Sequence, residues 1–419
     1  MRDALDKVIF LSGTTRGGTL EGIGRAFAPV LQDLGVELVE VSLLDMNDLL
    51  DQLRGINFQS VRFVLSCVGM GMDLAIQKEG REVSLWQELG VPFITLHGDS
   101  PAYFFDRHVV RSSNFISLYA FAEQCELRRR LPNINGPIAV LPPIVLDEIP
   151  RDEIDIEAKK NGTLIFLKNG KNPNLIRGMW EAVMEPRPLR ALLEIADQLE
   201  ANLDDPASNQ IDDVVMRYFE SYGLDIENLR RLRLFFIAQL DDYLRAVKCT
   251  RMAEALMDFP VEIRGNNWDH VDFSKGKAKY IDDCDYVESI GLIRNSLGTI
   301  DMSANTGSMP HDRVMRAFGA KTLCLTNHGQ TFFQDLPHRE RLNFCFEKEC
   351  LQTRVNDLLS NKAAAVEMGI EVSEAFKRLN PPERSFEKML DYAAMAKLDQ
   401  LSHRPGAMQD FFVWPPRLL

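Results

Sequence analysis

Apolar residues in this chain come in short unbroken runs separated by polar loops and by stretches of helical period. The runs KVIFLS (7–12), VELVEVS (36–42), VRFVLS (61–66), VPFITL (91–96), NFISLY (114–119) and PIAVL (137–141) lie in the first third. Helical spacing between them predicts helices near 20–34 and 74–89. Strands that are apolar on both faces and alternate with helices predict an α/β fold with a doubly wound parallel sheet. A second series, TLIFL (163–167), VEIRG (261–265), TIDMS (299–303), TLCLT (322–326) and LNFCF (342–346), repeats the pattern.

The expected organisation is a first domain over 1–145, a Pro- and charge-rich linker over 146–161, and a second domain over 162–395. A tail over 396–419, containing FFVWPP at 411–416, should pack back on the first domain. The second domain carries an insertion at about 175–259, rich in Leu, Ala, Glu, Arg and Met, too long for one crossover helix. It reads either as a packing decoration or as an element for acceptor docking or homodimer formation.

A length of 419 residues suits two domains, each able to bury its own core. The net charge of -13 argues against nucleic acid as a partner, because phosphate backbones need a concentrated basic surface. The one compact basic run, Arg128-Arg129-Arg130, reads as a solvated helix end or an anionic contact. Seven cysteines with no Cys-x-x-Cys pair suit reduced thiols, and no apolar stretch approaches a membrane span. Together these point to the cytoplasm.

The segment 299–327, TIDMSANTGSMPHDRVMRAFGAKTLCLTN, reads as strand, turn cluster, helix, strand. Its helix starts just after a Gly/Ser/Pro loop, which presents unpaired N–H groups and a positive dipole end suited to a diphosphate. Lys168-Asn169-Gly170-Lys171-Asn172 follows the first strand of the same domain and adds two cations. In the first domain Gly13-Thr14-Thr15-Arg16-Gly17-Gly18 follows the first strand without matching a dinucleotide or P-loop spacing. His97-Gly98-Asp99-Ser100-Pro101 ends another strand, at the edge where open α/β sheets place ligands.

This passage resembles the spore maturation protein CgeB-like family of glycosyltransferases. The resemblance rests on Asn305, Gly307, His311-Asp312-Arg313-Val314 and Thr326-Asn327, on the strand and Gly-x-x-Trp of 261–268, and on the strand ending at Asp99-Ser100-Pro101. It implies a GT-B architecture, two Rossmann-like domains facing a cleft, here with a helical insertion in the second.

It further implies a bacterial, metal-independent glycosyltransferase of hexosyltransferase type, without cofactor, moving a sugar from a nucleotide-sugar donor to a glycan or protein hydroxyl. Donor contacts would then be Lys168, Asn169, Lys171, Asn305, Gly307, His311, Asp312, Arg313, Thr326 and Asn327. Asp99 or His97 would take the acceptor proton, and Gly13, Thr14, Arg16, Gly17 and Gly18 would meet acceptor or phosphate. Arg313 has a second reading, as a salt-bridge partner of Asp301 or Asp312, and Lys171 as a surface cation.

Arg316 stands where related retaining enzymes carry a glutamate, and Lys321 where a glycine would be, so sugar choice and stereochemistry stay open. No metal site is expected, since Asp283-Cys284-Asp285 precedes a helix that Asp285 would cap. A non-catalytic sugar-nucleotide or protein-binding module and a nucleotide-sugar epimerase remain the alternatives.

Overall fold

The computed structural model describes residues 6–401 apart from 14, 16–17, 110–113, 132–136, 146–147, 206–209, 304 and 328–330. Thr14, Arg16, Gly17 and the tail beyond 401 therefore lie outside the described residues. Two units are distinct, one formed by the described residues of 6–145 with 380–401 and the other by those of 148–379.

The first unit opens with β1 (Asp6–Ser12), α1 (Thr19–Arg25), α2 (Ala28–Asp33), β2 (Val36–Ser42) and α3 (Met46–Arg54). It continues with β3 (Val61–Cys67), β4 (Ala75–Lys78), β5 (Arg81–Ser84), α4 (Leu85–Glu88), β6 (Phe93–His97), β7 (Phe115–Tyr119), α5 (Ala122–Arg130) and β8 (Ile138–Val140). Among the described residues its main sheet has six parallel strands in the order β2-β1-β3-β6-β7-β8. Val8, Ile9, Phe10 and Leu11 of β1 are fully buried, as a strand covered on both faces requires.

Two expectations for this unit are corrected. The stretch 20–34 is two helices, because Pro29 lacks an N–H and is tolerated in the first turn of a new helix. The stretch 74–89 is a hairpin followed by one helical turn. Glu79 and Gly80 both have positive φ (50 and 74), the geometry of a two-residue hairpin loop.

The second unit contains α6 (Ile156–Asn161), β9 (Leu164–Leu167), α7 (Pro173–Val183), α8 (Pro186–Glu200), α9 (Ile211–Ser221) and α10 (Arg230–Leu256). Then come β10 (Val261–Arg264), β11 (Lys279–Ile281), α11 (Tyr286–Arg294), β12 (Gly298–Asp301), α12 (Asp312–Gly319) and β13 (Leu323–Asn327). It closes with α13 (Arg339–Leu342), β14 (Asn343–Phe344), α14 (Lys348–Ser360) and α15 (Lys362–Leu379). The strand order is β11-β10-β9-β12-β13-β14, all parallel among the described residues. Read by strand rank this is the 3-2-1-4-5-6 order of a Rossmann sheet.

The insertion is the four helices α7 to α10, with α10 packed on α7, α8, α9 and α14. Asp285 caps α11 by accepting from Glu288 N–H at 2.8 Å. The stretch read as a linker is partly helical: Asp155 caps α6, and the buried Lys159 donates to Thr322 Oγ1. Beyond the second unit, α16 (Pro382–Leu401) supplies Phe386, Met389, Ala393 and Ala396 to the core around Val8, Phe10 and Phe63 of the first unit. That helix crosses the boundary drawn at 395 from the sequence.

All seven cysteines are free, and among the described residues no helix is long and apolar enough to cross a membrane.

Candidate functional site

In the second sheet the chain reverses direction between β9 and β12, which leaves a crevice at the carboxyl ends of these strands. Lys168 follows β9 directly. Its N–H donates to Arg264 C=O at 2.9 Å and its C=O accepts from Trp268 Nε1 at 2.9 Å, so the backbone under the side chain is fixed from two sides. Gly265 makes this possible. It holds φ 148, and a Cβ there would lie 2.2 Å from Lys168 O. Gly265→Ala should therefore lower stability by about 2–3 kcal/mol in chemical denaturation; an unchanged midpoint would mean the loops yield freely. Gly170 serves the same packing, with the Trp268 ring 2.4 Å from where its Cβ would stand.

The Lys168 ammonium is half-buried and is pushed down to about 8 by loss of solvation, with the Arg313 charge acting in the same direction. A lysine held this way is a poor structural cation and a ready partner for an anion. Asp301, at the end of β12, is 1% exposed, and its carboxylate accepts from Arg313 Nε at 2.7 Å. Burial alone would raise this carboxyl; Arg313, His311 and Lys168 outweigh it and hold it below the usual range. Arg313 is thus in the salt bridge that the sequence offered as its second reading. Its Nη2 remains buried without a hydrogen-bond partner, a costly state that an incoming acceptor atom would relieve.

His311 and Asp312 open α12 with the imidazole Nδ1 against the carboxylate, and Asp312 also takes Arg316 Nη2 at 2.6 Å. Burial, reinforced by Arg313, pushes His311 down and keeps the imidazole neutral. Arg316 donates to Ser289 Oγ and lies over the Tyr286 ring at 5.1 Å, so it builds the helix pair and offers no carboxylate. Lys321 sits at φ 51 just past α12, a left-handed position where glycine is usual, and is held by Glu148.

Asn305 adopts φ 49 and is 3% exposed; its Nδ2 donates to Asp241 C=O at 3.0 Å and to Asp241 Oδ1 at 2.8 Å. Arg245 Nε reaches the other Asp241 oxygen at 2.9 Å. Asp241, Arg245 and Lys248 are the residues that sequence reasoning missed. Their i, i+4, i+7 spacing puts three charges on one face of α10, a signal present in the chain but lost among the other charged residues of that helix.

The remaining expected donor contacts divide into framework and surface. Asn327 Oδ1 accepts from Ser303 N–H at 2.9 Å, and Thr326 is buried beside it. Gly307 C=O accepts from Thr331 N–H at 2.7 Å. Asn169 is exposed and accepts from Asn266 N–H at 2.7 Å, while Lys171 pairs with Asp242 of α10 at the surface. An exposed pair of that kind contributes little.

In the first unit the sheet reverses between β1 and β3. Gly13 and Gly18 flank the loop there; Gly18 has φ 66 and precedes α1. The buried Glu21 accepts from Thr15 Oγ1. At the end of β6, His97 is 2% exposed, lies tilted against His108 at 4.2 Å and stacks on Tyr119 at 5.1 Å. Burial pushes its imidazole well below its ordinary range, with His108 and Arg128 adding to the effect. His97 is neutral and shut off from solvent. Asp99, two residues on, is half-buried. The turn that follows is capped by Ser100 Oγ, which accepts from Ala102 N–H at 3.2 Å.

No protein-family model matches the chain, and no curated protein matches it. Among solved structures it is similar to an alpha-glucosyltransferase in complex with UDP and a 13-mer DNA containing a central A:G mismatch. The two are 8% identical over 94% of this chain and 100% of the other, with a TM-score of 0.51. An alpha-glucosyltransferase in complex with UDP and a 13-mer DNA containing a HMU base gives 8%, 93%, 100% and 0.49. The DNA modifying enzyme beta-glucosyltransferase gives 8%, 92%, 99% and 0.46.

The first likeness shows a shared fold, the pair of Rossmann-like units of GT-B type that the strand pattern led one to expect. That solved structure contains DNA, so the expectation of no nucleic-acid partner rests on net charge alone.

Proposed function

We propose that the protein is a glycosyltransferase that binds a nucleotide-activated sugar at the carboxyl edge of the second sheet and an acceptor hydroxyl on the first unit. The observation that carries this reading is the Lys168, Asp301, Arg313 cluster at the switch point, with the amino end of α12 beside it. The bond from the anomeric carbon to the diphosphate breaks, a new one to the acceptor oxygen forms, and the acceptor proton passes to Asp99. Lys168, Arg313 and the helix end offset the charge that develops on the leaving diphosphate. On this reading no divalent cation is required, and turnover should survive a chelator. Membership of the CgeB-like family belongs to the same proposal, supported by Asn305, Gly307 and the His311-Asp312-Arg313 start of α12.

Nucleoside diphosphates and their sugars should raise the melting temperature, and diphosphate release should depend on acceptor. Absence of any shift across donors would reject the assignment. Binding without release would instead favour a sugar-nucleotide-binding module.

Lys168 gives the site a pH signature. The ammonium is charged below about 8 and neutral above. A bound diphosphate favours the charged form, so binding above that pH takes up a proton and affinity declines as pH rises. Calorimetry just above pH 8 in buffers of different protonation enthalpy measures this uptake. Identical heats in all buffers would remove Lys168 from the phosphate site.

A further inference from the structure

Beneath the β4–β5 hairpin the first unit holds a cavity of about 740 Å³, inside the roughly 300–1,000 Å³ span of small-molecule sites. None of the residues expected from the sequence to bind or react lines it.

Its wall is the loop 68–74, whose backbone is fixed at three points. Gly69 N–H donates to Thr95 Oγ1 at 2.7 Å, Met70 C=O accepts from Ser66 Oγ at 2.6 Å, and Gly71 C=O accepts from Trp86 Nε1 at 2.7 Å. Val68 opens the loop at φ 48, a conformation that β-branched residues rarely adopt, and Gly69 and Gly71 follow at 72 and 74. Strain held in place by surrounding bonds is a mark of a preformed site.

The lining has a divided chemistry. Leu43, Met70, Met72, Leu74 and Val83 are half-buried and give an apolar floor, in which thioethers adapt to a flat ligand. Ser84 borders the same space, with its Oγ turned away from solvent and without a hydrogen-bond partner. Asp73, Glu82, Asp106 and Arg107 are exposed and set three carboxylates against one guanidinium at the rim. That balance repels an anion. A glycan, polar on every edge, could pair with the rim but would leave the apolar floor uncovered.

We infer that this cavity takes the apolar body of a neutral, hydroxyl-bearing small molecule, and that such a molecule is the acceptor. The second half of this inference rests on the transferase reading above.

The test uses β-naphthol, its monosulfonate and maltotriose as probes against the full chain, followed by fluorescence or calorimetry. β-Naphthol should bind saturably, the monosulfonate should bind at least about tenfold more weakly, and maltotriose should not compete. Val83→Trp fills the cavity from the exposed hairpin and should weaken β-naphthol by about tenfold or more, whereas Val83→Thr should not. Ala75→Trp, on the neighbouring strand, provides the same block should Val83→Trp fail to fold. Saturable binding that ignores a folded blocking variant, equal binding of the monosulfonate or of maltotriose, or no β-naphthol binding overturns the assignment.

Nucleoside diphosphate is titrated into the same samples. Diphosphate binding without β-naphthol binding sinks the cavity and leaves the transferase reading. β-Naphthol binding without diphosphate binding keeps the cavity and sinks its role as acceptor site.

Discussion

Arg313→Ala is expected to unfold about 3–5 kcal/mol more easily than the parent, because it strands the Asp301 carboxylate in a buried site. Asp301 is 1% exposed and has Arg313 Nε as its charged partner at 2.7 Å. Nucleoside diphosphate affinity should fall roughly tenfold to a hundredfold in the same variant, the worth of a charged hydrogen bond. Urea midpoints and calorimetric titration read the two effects separately. Arg313→Lys keeps the charge and loses the fork, so its stability should lie near the parent and its affinity between the two. Full affinity in a folded Arg313→Ala protein would confine the guanidinium to its structural pair with Asp301.

Asp99→Asn should lower turnover roughly a hundredfold to ten-thousandfold, the range for loss of a general base, with donor affinity unchanged. The residue follows β6 at the carboxyl edge of the first sheet and is half-buried. Among the described residues its carboxylate has no hydrogen bond or ion pair, because Ser100 caps the turn in its place. His97 is the poorer base: it is closed off from solvent against His108 and Tyr119. Parental turnover by Asp99→Asn would return Asp99 to the turn.

The parallel strands were legible because burial on both faces leaves an uninterrupted apolar run, as in β1, β3 and β13. The hairpin was not. Leu74, Leu85 and Leu89 carry a helix-like spacing, while the turn is made by Glu79-Gly80, a pair less telling than Asn-Gly. At the site, the loops after β9 and β12 could be read from their Gly, Asn and basic residues, and Asp285 from its capping position. Which partner Arg313 takes could not, since a pair formed between a strand end and a helix start is a matter of tertiary geometry. The hold of Asp241 on Asn305 was hidden for the same reason, spanning 64 positions between the insertion and the loop.

The passage of α16 into the first unit's core fixes an order of events during synthesis. Strands β1 to β8 leave the ribosome well before Phe386, Met389, Ala393 and Ala396, the residues that close their core beside Phe27 and Phe63. The later-made second unit, within 148–379, has its whole core in hand before the earlier-made first unit does. The nascent amino-terminal sheet must wait, open on one side, for more than half of the chain to follow it.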